Sequence, residues 1–124
     1  MKRKGIAILL TVASWTAHAD LIEIAWDMSE RYESRMTVKS TDFVELCAPL
    51  RAGTKVRWDF SGNGLTDFDI HYHKGKTVIA PARKKATQQS KGTLAVRSNQ
   101  DYCWTWSNKS ASAIEVHVRL KKMH

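Results

Sequence analysis

The chain has 124 residues, 43% of them hydrophobic and 26% charged, with a formal net charge of +8. This balance excludes a disordered, collagen-like or coiled-coil chain. The length supports one domain, with no room for separate cofactor and substrate domains.

The chain opens on Met1-Lys2-Arg3-Lys4, continues through an apolar run from Gly5 to Trp15 and reaches Ala17-His18-Ala19. A basic start, a short apolar stretch and a small-x-small ending form the pattern of a secretory signal peptide, cut here after Ala19. The run is too short to span a bilayer comfortably, so the protein is not read as membrane-spanning. The domains are therefore a signal peptide, 1–19, and a single domain, 20–124, placed in the periplasm or outside the cell. Three of the 20 basic residues leave with the leader, so the mature part keeps an excess of five over its 12 acidic residues. A basic exported protein can meet acidic proteins, acidic glycans or lipid headgroups, and export argues against nucleic acid.

Along the mature chain the apolar period is two, the signature of half-buried strands. Strands are expected at 21–28, 36–39 and 42–47. After the turn Arg51-Ala52-Gly53, residues 54–60 alternate, with Thr54, Val56, Trp58 and Phe60 on the inner face. Ser61-Gly62-Asn63-Gly64 reads as a flexible loop. In 66–73, Phe68, Ile70 and Tyr72 share one face, while Asp67, Asp69, His71 and His73 share the other. Lys74-Gly75 suits a tight hairpin into a strand at 76–80. Residues 82–91 read as a polar, basic connection, with room for a short helix at most. Strands follow at 92–98, 101–106 and 113–121; in the last, Ile114, Val116, Val118 and Leu120 face inward. Seven to nine short strands with regular turns predict an all-β, antiparallel β-sandwich.

Cys47 and Cys103 both lie in the exported part. An even count in an oxidising compartment predicts one disulfide, closing a loop of 56 residues.

Several segments, taken in order, carry a family resemblance. They are Val44-Glu45-Leu46-Cys47, then Ala52-Gly53-Thr54-Lys55-Val56, Thr66-Asp67-Phe68-Asp69-Ile70 and Gly92-Thr93-Leu94-Ala95-Val96. The last is Tyr102-Cys103-Trp104-Thr105-Trp106-Ser107-Asn108 with a closing strand. Residues 44–121 thereby resemble a GOLD domain, the β-sandwich of luminal cargo receptors in the early secretory pathway. The resemblance implies a GOLD-like or jelly-roll-like sandwich, a disulfide at the Cys47–Cys103 position and a binding role without chemistry.

Three groups of residues are candidates for function. On a strand, His71 and His73 at i and i+2 can chelate Cu²⁺ or Zn²⁺, copper before zinc. His117 or His124 would be a third ligand, and Met28 or Met36 a soft one for Cu(I). The same face, with Asp67 and Asp69, also reads as a solvated surface or a partner contact. Tyr102, Trp104 and Trp106 share a face; exposed, they would stack on a glycan or protein, and buried they are core beside Trp58 and Phe60. Arg83, Lys84 and Lys85, with Lys91, can hold an acidic partner or a membrane surface, or form an ordinary charged loop. Catalysis finds no support: Gly-x-Ser-x-Gly, His-Glu-x-x-His and a phosphate loop are all missing from the mature sequence.

The sequence therefore points to a non-catalytic exported module, without a cofactor, that recognises a protein or cell-envelope component. The alternative is a periplasmic copper- or zinc-binding protein. An inhibitor of an exported hydrolase ranks last, because a partner of a basic enzyme is expected to be acidic.

Overall fold

The computed structural model describes residues 20–124, and the signal-peptide reading falls outside them. There are seven strands: β1 (Asp20–Glu23), β2 (Arg31–Val38), β3 (Phe43–Leu50), β4 (Lys55–Lys74), β5 (Thr77–Ala95), β6 (Gln100–Ser107) and β7 (Ile114–Met123). No helix among the described residues is long and apolar enough to cross a membrane.

The strands form one curled sheet in the order β1-β3-β6-β4-β7-β2, with β5 beside β4. The curl comes from β4. Its 20 residues serve two neighbours in turn: residues 55–62 pair with β7, and residues 67–71 pair with β6. Because β5 follows β4 along both stretches, the β4–β5 hairpin is a bent ribbon carrying two leaves. One leaf continues through β6, β3 and β1, the other through β7 and β2. All pairings are antiparallel except β1 with β3.

The inner faces of the leaves close on each other, as the alternation requires. Val56, Trp58, Phe60, Phe68, Ile70, Val116 and Val118 are all buried. An aromatic cluster joins the leaves: Phe60 lies 4.7 Å from Phe68 and 5.5 Å from Trp106, ring centre to ring centre. The hairpin tip holds as expected, with Lys74 opposite Thr77 and Gly75 at φ +63°.

Three expectations need correction. Residues 61–64 are not a loop. The strand runs through them, and its register against β5 slips between Ser61 and Thr66, where the ribbon turns its corner. Gly64 is needed at that corner, because a Cβ there would lie 2.9 Å from two Ile114 side-chain carbons. Residues 82–91 are neither connection nor helix but the middle of β5. This strand is an edge, so ladder hydrogen bonds to β4 hold it and no apolar alternation is required. Its exposed Arg83, Lys84 and Lys85 discourage pairing with another edge. Finally, the first strand ends at Glu23 and not at residue 28. Beyond it Asp27 organises a turn, its Oδ1 accepting the Ser29 and Arg31 N–H groups at 2.8 and 2.9 Å. Those N–H donors, led by that of Arg31, hold the Asp27 carboxyl below its usual range.

Gly92 marks a second close approach. A Cβ built there would sit 2.8 Å from Cζ2 of the buried Trp58 ring. A rigid indole packed on two phenylalanines has little room to retreat. Gly92→Ala is therefore expected to cost about 1–3 kcal/mol in urea unfolding. A variant as stable as the parent would show that Trp58 repacks freely.

Candidate binding surface

With the inner faces filled, polar chemistry is left to the two outward faces, and their charges differ. On the β2-β7-β4-β5 leaf the register aligns the outward side chains in rows. Arg31, Lys121, Arg57 and Thr93 form one row; Glu33, Arg119, Asp59 and Lys91 the next; Arg35, His117, Ser61 and Gln89 a third. Six Lys or Arg side chains stand against two carboxylates in these rows. Arg119 donates to Asp59 from Nη2 at 3.1 Å, and His117 pairs with Glu33. Hydrogen bonding to His117 holds Glu33 below the usual carboxylate range. Among the described residues Arg31, Arg35, Arg57 and Lys91 make no ion pair and are exposed. A surface depression of about 230 Å³ lies between Arg31, Arg57, Arg119 and Lys121. This leaf is a cationic surface on a rigid sheet.

The outward face of the β1-β3-β6-β4 leaf is mixed in charge: it carries Glu23, Glu45, Asp67 and Asp69, while the adjoining stretch of β5 sets Arg83 opposite Asp69. Register places Glu23, Cys47, Cys103 and His71 in one row, with Glu45, Thr105 and Asp69 in the next. Cys47 and Cys103 are directly opposite and disulfide-bonded, with Cα atoms 4.1 Å apart, as the even count predicts. His71 is buried to 9% exposure; its Nδ1 meets Asp69 at 2.7 Å, and its Nε2 lies 3.4 Å from Glu45. His73 is exposed, its ring centre 5.3 Å from that of His71.

The remaining candidates separate clearly. His117 belongs to the other leaf, beside Glu33, and does not join His71 and His73 as a third ligand. His124 pairs with Glu30 at 2.8 Å. Met28 is exposed and Met36 lies in the core. Tyr102, Trp104 and Trp106 are buried, at 2%, 0% and 0% exposure, so they form no partner platform. Their face packs between the leaves, and the Tyr102 hydroxyl donates to the Ser98 carbonyl at 3.0 Å. Asp67 is occupied by the fold. Its Oδ1 accepts the Ala86 N–H at 2.9 Å, where Ala86 takes φ 47°, and Lys109 meets its other oxygen at 2.9 Å. These contacts, the backbone one foremost, lower the Asp67 pKa. Asp69 is engaged with His71. Sequence reasoning missed Glu45, which reaches His71 across β6, and the cationic rows, whose members lie on four separate segments.

The architecture is thus a two-leaf, all-β sandwich closed by a bent hairpin, with one disulfide and charged outer faces. No protein-family model and no curated protein matches the chain. Solved structures do match. The chain is similar to PliG of Aeromonas hydrophila, a periplasmic lysozyme inhibitor of g-type lysozyme, at TM-score 0.70 and 12% identity; the match covers 87% of this chain and 100% of that one. Salmonella Typhimurium PliG, of the same description, matches at TM-score 0.61 and 13% identity over 84% of this chain and 99% of that one. The pre-peptidase C-terminal domain of a Bacillus anthracis collagenase matches at TM-score 0.55 and 7% identity, covering 87% and 97%. At these identities the likeness concerns the fold, and a GOLD-like sandwich is compatible with it.

Proposed function

We propose that residues 20–124 form a single exported, non-catalytic domain that binds and inhibits a lysozyme of the g type. The observation that carries this reading is the end-to-end match to PliG, which spans the whole of the Aeromonas chain. The basic leader supports a periplasmic location. The GOLD-like resemblance contributes a scaffold for macromolecular contact and no trafficking role.

The cationic leaf gives the proposal a surface. Glycosidases generally work with paired carboxyl groups in a cleft, one of them ionised, so a cationic surface is favoured at that cleft. Unpaired Arg31, Arg35 and Arg57 on a stiff sheet are suited to such a cleft. Net charge alone is a poor guide to an inhibitor, because the arrangement of charge over a surface decides what it meets. A basic inhibitor can address an acidic cleft when one face gathers cations, and three rows of the β2-β7-β4-β5 leaf hold six against two carboxylates.

The test is lysis of a cell-wall suspension by a g-type lysozyme with increasing amounts of the oxidised domain, beside a c-type lysozyme. Stoichiometric inhibition of the g-type enzyme is expected, at least tenfold weaker for Arg31→Glu/Arg57→Glu. Absence of inhibition at a hundredfold excess would refute the proposal. Full inhibition by the double variant would move the contact off this leaf.

A further inference from the structure

We propose that the outward face of the β1-β3-β6-β4 leaf carries a binding site for one divalent transition-metal ion, Cu²⁺ or Zn²⁺. It is built on His71 Nε2 and the Glu45 carboxylate, with His73 beside them. The site stands apart from the cationic leaf and does not depend on the lysozyme reading.

A carboxylate oxygen can only accept, so the 2.7 Å contact of His71 to Asp69 Oδ1 requires the proton on Nδ1. Nε2 is then the nitrogen left to bind a metal ion. That atom makes no hydrogen bond among the described residues; its polar neighbour is Glu45 Oε1 at 3.4 Å. A carboxylate behind the far nitrogen is the common second partner of metal-bound histidine, where it fixes the ring and raises its basicity.

The spacing fits an ion better than a hydrogen bond. Zinc holds nitrogen and oxygen ligands at about 2.0–2.2 Å, so two ligands at the tetrahedral angle lie roughly 3.3 Å apart. The separation of Nε2 from Oε1 is 3.4 Å. Glu45 is also steadied, because the Thr105 hydroxyl donates to the same Oε1 at 3.2 Å. The backbone beneath is stiff. Glu45 and His71 flank β6, and the disulfide ties β3 to β6 in the row of His71, one row from Glu45. Cys103 Sγ lies within 4.8 Å of both donor atoms, but as a disulfide sulfur it offers no thiolate. His73, exposed and two residues along the same face with its ring centre 5.3 Å from that of His71, would join as a third donor only by swinging its side chain toward the ion. Water completes the coordination.

The experiment is calorimetric titration of untagged, oxidised residues 20–124 with ZnCl₂ and CuCl₂, with circular dichroism confirming that each variant is folded. One-to-one binding in the micromolar range or tighter is expected. His71→Ala should abolish it, and Glu45→Gln should weaken it at least tenfold. Asp69→Asn is a positioning variant. It should weaken binding about 10- to 100-fold and shift the His71 ring-nitrogen resonances in NMR spectra of the metal-free protein. His117→Ala, in the other leaf, should stay within twofold of the parent. A parent dissociation constant above 100 μM, retained binding in His71→Ala, or a loss in His117→Ala as large as in His71→Ala would overturn the proposal. Lysozyme inhibition is read in a separate assay, so either proposal can fail alone.

Discussion

Replacing both cysteines, as Cys47→Ala/Cys103→Ala, is expected to lower the melting temperature by about 15 °C or more. The bridge joins strands 56 residues apart in sequence, and the chain-entropy model gives roughly 4 kcal/mol for a loop of that size. In a domain of this length each kcal/mol moves the midpoint by about 4–8 °C. The effect is concentrated because the bond links β3 to β6 in the leaf whose outer strand, β1, has only four residues. Thermal melts of the parent, the reduced parent and the double variant decide the matter. Equal midpoints for oxidised and reduced protein would mean that the sandwich holds β3 on β6 without the bond. Loss of the bridge should leave the cationic leaf the more protected one in hydrogen exchange, since β2 and β7 pair over eight residues with no covalent help.

The legibility of the fold followed the alternation of side chains. Where one face is core and the other water, as at Val56-Trp58-Phe60 or Val116-Val118-Leu120, period two is visible in the residues themselves. Where both faces of a strand meet solvent, the pattern disappears. Residues 82–91 belong to a strand only because β4 offers them a ladder, and their sequence carries charge in place of alternation. The Gly-rich corner at 61–64 misleads for a different reason. Glycine is used both where a chain leaves a sheet and where a strand must bend against a neighbour, and Gly64 beneath Ile114 is the second case.

The candidate sites were legible in proportion to how local they are. His71 and Asp69 are two residues apart, and their contact follows from strand geometry. Glu45 reaches the same histidine across an intervening strand, a relation that only register can show. The spacing of His117 puts it on a polar face, but a sandwich has two polar faces, and His117 lies on the one away from His71. The cationic rows are hidden for the same reason. Arg31, Arg57, Lys91 and Lys121 become neighbours only when four strands are laid side by side.

Asn108→Asp, a change of one atom, is expected to destabilise the fold by roughly 3 kcal/mol at neutral pH. Asn108 is 1% exposed in the β6–β7 connection, and all its side-chain polar atoms are used. Nδ2 donates to the Val38 and Ser112 carbonyls at 2.9 and 2.8 Å, and Oδ1 accepts from the Ser110 N–H and hydroxyl at 2.8 and 2.7 Å. One amide thus fastens the loop between the last two strands to the end of β2. Aspartate keeps the shape but sets an oxygen against two carbonyls and buries a charge. The sign of the pH dependence follows from this. Burial against carbonyls raises the folded-state pKa of the new carboxyl above its unfolded value. The variant should therefore recover part of its stability as pH falls through that raised pKa, when a proton restores one of the two donors. Urea unfolding at pH 7 and pH 4.5, each referred to the parent, tests it. A deficit of the same size at both pH values would mean that the loss lies in packing of the connection and not in the two donated hydrogen bonds.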